Sequence, residues 1–440
     1  MPFRAPCAAH LTFLLRRLTH SALVLTVSVL PPSLSVLPAG AAATPRERVI
    51  YSFSNDCFNP IAPLIADEDG NLYGTAFNGG PNMAGCVFEL SPHPDGTWSE
   101  KALHTFNVAD GYQPVAALIF DKSGNLYGTA ASGGTYGGGV VFKLSPSRDG
   151  EWTETALYNF GKGGNAANLA SELVFDKHGN LYGTTEFGGS GNGGTVYKLS
   201  PSPAGWIQTI LHVFPANNPY SCSTTDGCNP RGSIVFDSKG RMYGTTEGGG
   251  AYGFGAVYEL APAKDGSYQE RLLHSFSGAD GSQPLSTLTM DSSGNLYGTT
   301  FDGGDLTACP NGCGTVFKLT KHGDGKWTES VLYALTASDG NHAGGSVVFD
   351  RAGNLYAAAA GGSTGIDGSV FRLTPGDDGA FVLHRFPWPS TGDGAAPYAG
   401  LTLRGRELFG TTLIGGAYNS GTVFTVGAVH ENDQVSGISR

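Results

Sequence analysis

The feature that most restricts this chain is a phrase it keeps repeating. "GNLYGT" begins at Gly70, Gly124, Gly179 and Gly294, and looser copies place the same aromatic position at Tyr243, Tyr356 and Phe409. Between successive aromatics, Tyr73, Tyr127, Tyr182, Tyr243, Tyr297, Tyr356 and Phe409, the intervals are 54, 55, 61, 54, 59 and 53 residues. Such a period marks a repeat array, in which each unit buries its apolar face against the next, so the 440-residue length says little about domain number. The period is longer than that of WD40 units and near that of kelch units.

Each copy holds four short apolar runs. In the second they are "ALIF" from Ala117, "NLYGT" from Asn125, "VVFKL" from Val140 and "WTETALYNF" from Trp152, separated by "DKSGN", "ASGGTYGGG" and "SPSRDGE". Runs rich in Val, Phe, Tyr and Thr between Gly, Asp, Asn and Pro clusters read as strands and turns, and no segment carries a helical stripe. The expected fold is all-β, a seven-bladed β-propeller with four antiparallel strands per blade. The seventh copy supplies three strands, around Leu401, Leu408 and Val423, but no fourth. "VIYSF" from Val49 stands unused before the first copy, so an N-terminal strand is expected to complete the last blade and close the ring.

The phrase itself reads as architecture. Its Gly takes a turn conformation that other residues resist, its Leu and Tyr pack between blades, and the preceding Asp67, Asp121, Asp176, Asp237, Asp291 and Asp350 bond their own turns. "DEDGN" at Asp67 begins like a calcium loop but lacks the later ligands.

Residues 1–43 read as a secretory signal: Arg4, Arg16 and Arg17, then "ALVLTVSVL" from Ala22, then "AGAAA" from Ala39. The apolar run is too short to span a bilayer and ends at Pro31-Pro32. Arg16-Arg17 leaves both the general secretory and the twin-arginine routes open. The expected organisation is a signal peptide over 1–43, one propeller over 44–428 and a short polar tail over 429–440. The protein is then secreted, periplasmic or cell-surface, with no transmembrane segment once the signal is removed. Removing Arg4, Arg16 and Arg17 from the 26 basic residues leaves 23 against 37 acidic ones, a balance that disfavours nucleic acid.

Six cysteines remain after the signal: Cys57, Cys86, Cys222, Cys228, Cys309 and Cys313. In an exported chain they read as three disulfides, for which 15 connectivities exist formally. All six fall in loops of one face, which suggests the local pairs Cys57–Cys86, Cys222–Cys228 and Cys309–Cys313. A zinc site is the alternative, though the spacings match common ligand patterns poorly.

The repeat, seen in one copy as Asp291, Gly294, Asn295, Leu296, Tyr297, Gly298, Thr299, Thr300, Gly303, Gly304, Gly314, Thr315, Val316 and Phe317, resembles the Gloeobacter–Verrucomicrobia type ("GloVer") tandem repeat over roughly residues 49 to 428. That resemblance implies an exported, propeller-like protein and is nearly silent about activity. A weaker similarity to kelch repeats rests on the Gly pairs Gly133-Gly134 and Gly188-Gly189, a following aliphatic strand and a Trp such as Trp152. Kelch-like propellers include both binding proteins and oxidases, so the fold cannot choose between activities.

In an up-and-down blade the turns alternate between two faces. The "DxxGN" and "SPxxDG" turns share one, and the Gly-pair loops and blade-to-blade crossings share the other. The second face varies most, through "PANNPYSCSTTDGCNP" and "DGGDLTACPNGC". Its crossings carry Asp110, Asp226, Asp280, Asp339 and Asp393, read as a carboxylate ring near the channel mouth that could hold sugar hydroxyls or, as the one cofactor considered, calcium. The competing reading is that each Asp caps its own turn. His342 belongs to the same face, whereas His104, His212, His274 and His384 alternate with Tyr51, Tyr158 and Tyr333 at one structural position.

Catalysis needs residues that break the sevenfold repeat. One such position reads Phe77, Ala131, Glu186, Glu247, Phe301, Ala360 and Leu413. Adjacent Glu186 and Glu247 are the catalytic candidates, since paired carboxylates serve acid–base and glycosidic chemistry. The expected function is binding of an extracellular glycan or protein. The alternatives are a polysaccharide-active enzyme of glycosidase or lyase type on the variable face, and a structural envelope or adhesion component.

Overall fold

The computed structural model describes residues 47–428, except 55, 165–166, 217–221, 223–224, 308, 362–365, 377–378 and 388–391. The expected signal and polar tail lie outside the described residues. Seven four-stranded antiparallel units form the blades of a ring. In blade 2 the strands run Ile119–Phe120, Leu126–Ala130, Val140–Pro146 and Trp152–Asn159, from the inner edge to the outer. The inner strand is shorter than "ALIF" suggested: Ala117 forms part of the channel wall and Leu118 packs in the core, outside the ladder. In blade 7 the outer strand is Arg48–Ser52, paired with Thr422–Gly427 so that Tyr51 lies opposite Val423. The N-terminal strand therefore closes the ring, as the orphan "VIYSF" required.

Three repeated contacts explain the phrase. First, the turn aspartate organises its own loop. Asp67 accepts hydrogen bonds from the Gly70 and Asn71 amides (2.8 and 2.9 Å), from Asn71 Nδ2 (2.8 Å) and from the Tyr73 hydroxyl (3.0 Å). Five further blades repeat the tyrosine bond, from Tyr127 to Asp121 through to Tyr356 to Asp350. Blade 7 has Phe409 in place of the tyrosine and turns at Arg404-Gly405 without the aspartate, so both halves of the pair are lost together.

Second, the Gly after Tyr is a matter of space. A Cβ on Gly128 would stand 2.6 Å from Phe142 Cζ, and one on Gly183 would stand 2.6 Å from the Tyr197 hydroxyl. The tips of the third-strand aromatics reach the second strand there and leave no room for a methyl group, whereas blade 6 accommodates Ala357 opposite Phe371. Third, an aromatic leaving six of the seven outer strands, with Leu335 in blade 5, packs against the third strand of the next blade: Phe53 on Phe88, Phe106 on Phe142, Phe214 on Tyr258 and Phe386 on Phe424 meet edge-on, with centroids 4.9–5.1 Å apart. These rings are almost wholly buried, and the belt they make joins each blade to its neighbour.

Candidate functional site

The variable face is assembled by the crossings between blades. At the inner end of each crossing one residue sits in the left-handed region: Asn59, Gln113, Asn168, Asn229, Gln283, His342 and Ala396, with φ between 53° and 61°. Its amide donates to a loop carbonyl of the preceding blade, as in Asn229 to Gly193 (2.6 Å) and Gln283 to Phe254 (2.9 Å). Its carbonyl accepts from the variable position of its own blade, as in Glu186 N to Asn168 O (3.0 Å) and Glu247 N to Asn229 O (3.1 Å). Among residues with a side chain asparagine tolerates this backbone well, and its amide bonds the neighbouring variable position, as Asn59 Nδ2 does to Leu413 O (2.8 Å). Reading the sequence missed this ring; its signal was the Asn or Gln directly before Pro60, Pro114, Pro230 and Pro284.

Within the ring, blades 3 and 4 break the symmetry. Glu186 and Glu247 are brought together by Arg231, whose Nε lies 3.3 Å from Glu186 Oε2 and 3.4 Å from Glu247 Oε2. Glu186 is buried and also accepts from Asn168 Nδ2 (2.6 Å), while Asn229 Nδ2 donates to its backbone carbonyl (2.9 Å). Burial raises the Glu186 carboxyl above the usual range; Arg231 pulls it down and Glu247 adds a smaller upward push. Arg231 was not singled out from sequence, although it stands at a position held by Ile61, Val115, Ala170, Leu285, Gly344 and Tyr398 elsewhere. These residues line a central cavity of about 110 Å³, into which Glu172 also faces, its carboxyl pushed up to about 7 by burial.

His342 lies on this face as expected. Its ring stacks on Phe301 (4.3 Å, 10° between planes) and its Nε2 stands 3.3 Å from Asp302 Oδ1. Burial holds it below the usual histidine range, partly countered by Asp302.

The crossing aspartates are not at the channel mouth. Their carboxylates turn to the outer strand or to their own turns, although Asp226 stands thirteen residues beyond Val213, where its outer strand ends. Asp110 accepts from the Asn107 amide (2.8 Å) and side chain (2.6 Å), Asp280 from Ser277 (2.7 Å) with His274 at 2.9 Å, and Asp339 from Tyr333 (2.5 Å). Asp393 stands 3.2 Å from His384, and Asp226 acts electrostatically on His212. The expected central carboxylate ring is thus a peripheral one, with the amide ring in its place. The disulfides form as suggested, Cys57–Cys86, Cys222–Cys228 and Cys309–Cys313, with Cα separations of 5.9, 6.0 and 5.3 Å.

Exposed aromatics gather on the Gly-pair loops of this face: Tyr136, Tyr252, Phe254 and Tyr418. Among the described residues, the other exposed large apolar side chains lie on this face or on outer strands, and none lies in the short turns opposite.

Fold and face together define a seven-bladed repeat propeller with one invariant and one variable face. The chain belongs to the Gloeobacter/Verrucomicrobia repeat family, whose model matches residues 38–223 and 216–424. No curated protein matches it. Similar solved structures include a putative 6-phosphogluconolactonase from Bacteroides uniformis (15% identity, 76% of this chain and 86% of that one, TM-score 0.48). Others are a luciferin-regenerating enzyme (14%, 87% and 95%, 0.44) and a protein of unknown function from Dyadobacter fermentans (10%, 87% and 100%, 0.44). Among the described residues no helix is long and apolar enough to cross a membrane.

Proposed function

We propose that this is an exported binding protein whose variable face holds an extracellular glycan. The observation that carries the reading is the exposure of Tyr136, Tyr252 and Tyr418 (48%, 63% and 66%) on the Gly-pair loops of that face, with Tyr252 bordering an open cleft beside His274 and Asp280. Flat aromatic rings match the apolar faces of sugars, while Asn, Gln and carboxylate groups match their hydroxyls. Export is supported by the three disulfides and by the basic–apolar–small pattern of residues 1–43.

The test is retention on a panel of immobilised polysaccharides, followed by titration of the best ligand. Tyr136→Ala and Tyr252→Ala should each weaken binding several-fold while the melting temperature holds, because both side chains are solvent-exposed. Failure to bind any polysaccharide would leave the protein-partner form of the proposal, to be pursued by cross-linking at Tyr252.

A second reading is favoured by the convergence of Glu186 and Glu247 on Arg231. In a polysaccharide-active enzyme, buried Glu186 would act as the acid and the more open Glu247 as base or nucleophile. Glu186→Gln and Glu247→Gln separate the two readings: turnover lost with binding retained supports the enzyme, and no turnover by the parent chain on any polysaccharide it binds supports the binding module.

A further inference from the structure

At the outer rim six of the seven blade boundaries repeat one cleft, made by an outer-strand Tyr or His, an acidic residue of the crossing that follows, and the matching outer-strand residue of the next blade; the crossing from blade 2 to blade 3 has no acid. Histidine occurs only where the next blade offers glutamate: His104 with Glu154, His212 with Glu270, His274 with Glu329, His384 with Glu47. Where the next blade offers Gln208 or Ala380, the residue is Tyr158 or Tyr333. At the seventh boundary Tyr51 faces Glu100 and donates its hydroxyl to Oε2 (3.1 Å), so glutamate accompanies every histidine without excluding tyrosine.

In two clefts the three groups converge. The ligand atoms of His274, Asp280 and Glu329, and those of Glu47, His384 and Asp393, lie within 4.8 Å of one another. His384 Nε2 stands 3.2 Å from Asp393 Oδ2 and 4.0 Å from Glu47 Oε2. Two ligands about 2.0–2.2 Å from a tetrahedral ion are themselves a little over 3 Å apart, so only the glutamate needs to turn inward. The Glu47 side chain is 8% exposed, and its Oε1 has no hydrogen-bond partner among the described residues. Glu329 Oε1 is likewise buried and unpartnered. Such an oxygen is costly to leave unsatisfied.

The geometry points to a divalent transition-metal ion of the zinc type held at each of these two boundaries, by His274, Asp280 and Glu329 and by Glu47, His384 and Asp393. One imidazole nitrogen with two carboxylates suits such an ion, whereas calcium takes six to eight oxygens. Beside His274 and Asp280 an open cleft bordered by Tyr252 leaves room for a further ligand from solvent or from a bound partner. Each ion would join two blades, and the one at Glu47 would fasten the N-terminal strand that closes the ring.

The experiment uses the full chain, purified without an affinity tag, equilibrated with Zn²⁺, dialysed, and measured for metal by mass spectrometry and for melting by calorimetry. About two equivalents should remain, and the melting temperature should rise with zinc, since an ion that binds only the folded state stabilises it. Glu329→Gln and Glu47→Gln should each retain about one equivalent fewer and keep the metal-free melting temperature within a few degrees. Retention of no zinc by the parent chain, or unchanged retention by both variants, would overturn the assignment. Should either variant fail to fold, Asp280→Asn and His384→Gln address the same two sites from the other side.

Discussion

The two faces of this propeller are built from the same seven repeats and differ in what those repeats are required to do. On the short-turn face one aspartate, one asparagine and one tyrosine recur in almost the same geometry; Tyr73, Tyr127 and Tyr297 reach their aspartates at 3.0–3.1 Å. On the opposite face the backbone pattern recurs, with seven left-handed residues in register, but the side chains differ from blade to blade. Both faces spend aspartates on their own turns, but the variable face adds amides and acids that differ from blade to blade and leaves Tyr136, Tyr252, Phe254 and Tyr418 exposed.

The largest expected effect tests whether the variable face depends on covalent staples. Cys57–Cys86 closes 29 residues of separation, against 6 and 4 for the other two bridges. The chain-entropy relation gives about 3–4 kcal/mol for the long bridge and about 2 for each short one. Replacing Cys57 and Cys86 by Ala should therefore lower stability most, by denaturant titration under oxidising conditions. Equal losses for all three pairs would mean that the loops are held by their packing and not by the bridges.

Asp176→Ala should cost about 2 kcal/mol, because it strands the Asn180 side chain and the Tyr182 hydroxyl on the short-turn face, with no change in glycan affinity. Burial alone would raise the Asp176 carboxyl, but donation from Asn180, His178 and Tyr182 outweighs it and holds the group below its ordinary value. A depressed folded-state value contributes stability above the unfolded one, near 3.9, that is lost as pH falls through the folded one. The parent chain should therefore lose part of its stability on acidification below about pH 4, and Asp176→Ala should lose less over that window. A change in ligand affinity in this variant would show that the two faces are coupled.

Arg231→Met has the reverse profile. It should weaken ligand binding at the mouth and cost about 1–2 kcal/mol at pH 8, with a smaller cost at pH 5. Without the guanidinium the buried Glu186 carboxyl rises further and favours its protonated form, so the penalty appears only when pH forces ionisation. A pH-independent loss in melting experiments would assign Arg231 to packing rather than to charge.

How much of this was legible in the sequence follows the same division. The blades, the closing strand and the aspartate turns were readable because their causes are local: a period, an orphan apolar run and a turn residue; the tyrosine hydroxyl's bond to that aspartate was not read, since the tyrosine was assigned to packing between blades. Glu186 and Glu247 were found because they break the repeat, and the structure does bring them together. Arg231 breaks it too, but a cation at the head of a short inner strand carries no motif. The crossing aspartates were displaced to the channel mouth because sequence order places them before the inner strand. A crossing must first leave the outer strand, though, and the residue nearest that strand stays at the rim. The His–Glu pairing across boundaries links positions 50 to 58 residues apart on facing blades, and one pair spans the chain ends, so it emerged only once the blades were in register.

The last expectation concerns the channel that separates the two faces. Glu172 occupies a wall position held by Pro63, Ala117, Ser233, Thr287, Ser346 and Gly400 in the other blades, so it is the one acidic group at that level. Burial pushes its carboxyl up to about 7. A carboxyl with a raised folded-state value contributes stability that is complete below its unfolded value, near 4.3, and is lost as pH rises through the folded one. Glu172→Gln keeps the shape without the proton, so the melting temperature of the variant should gain on the parent between about pH 5 and pH 8 and match it at pH 4. This window lies above the acid loss expected of the turn aspartates, and the two effects have opposite signs. Parallel melting curves for parent and variant across the window would mean that the channel hydrates Glu172 fully and that the lumen is continuous with solvent at the variable face.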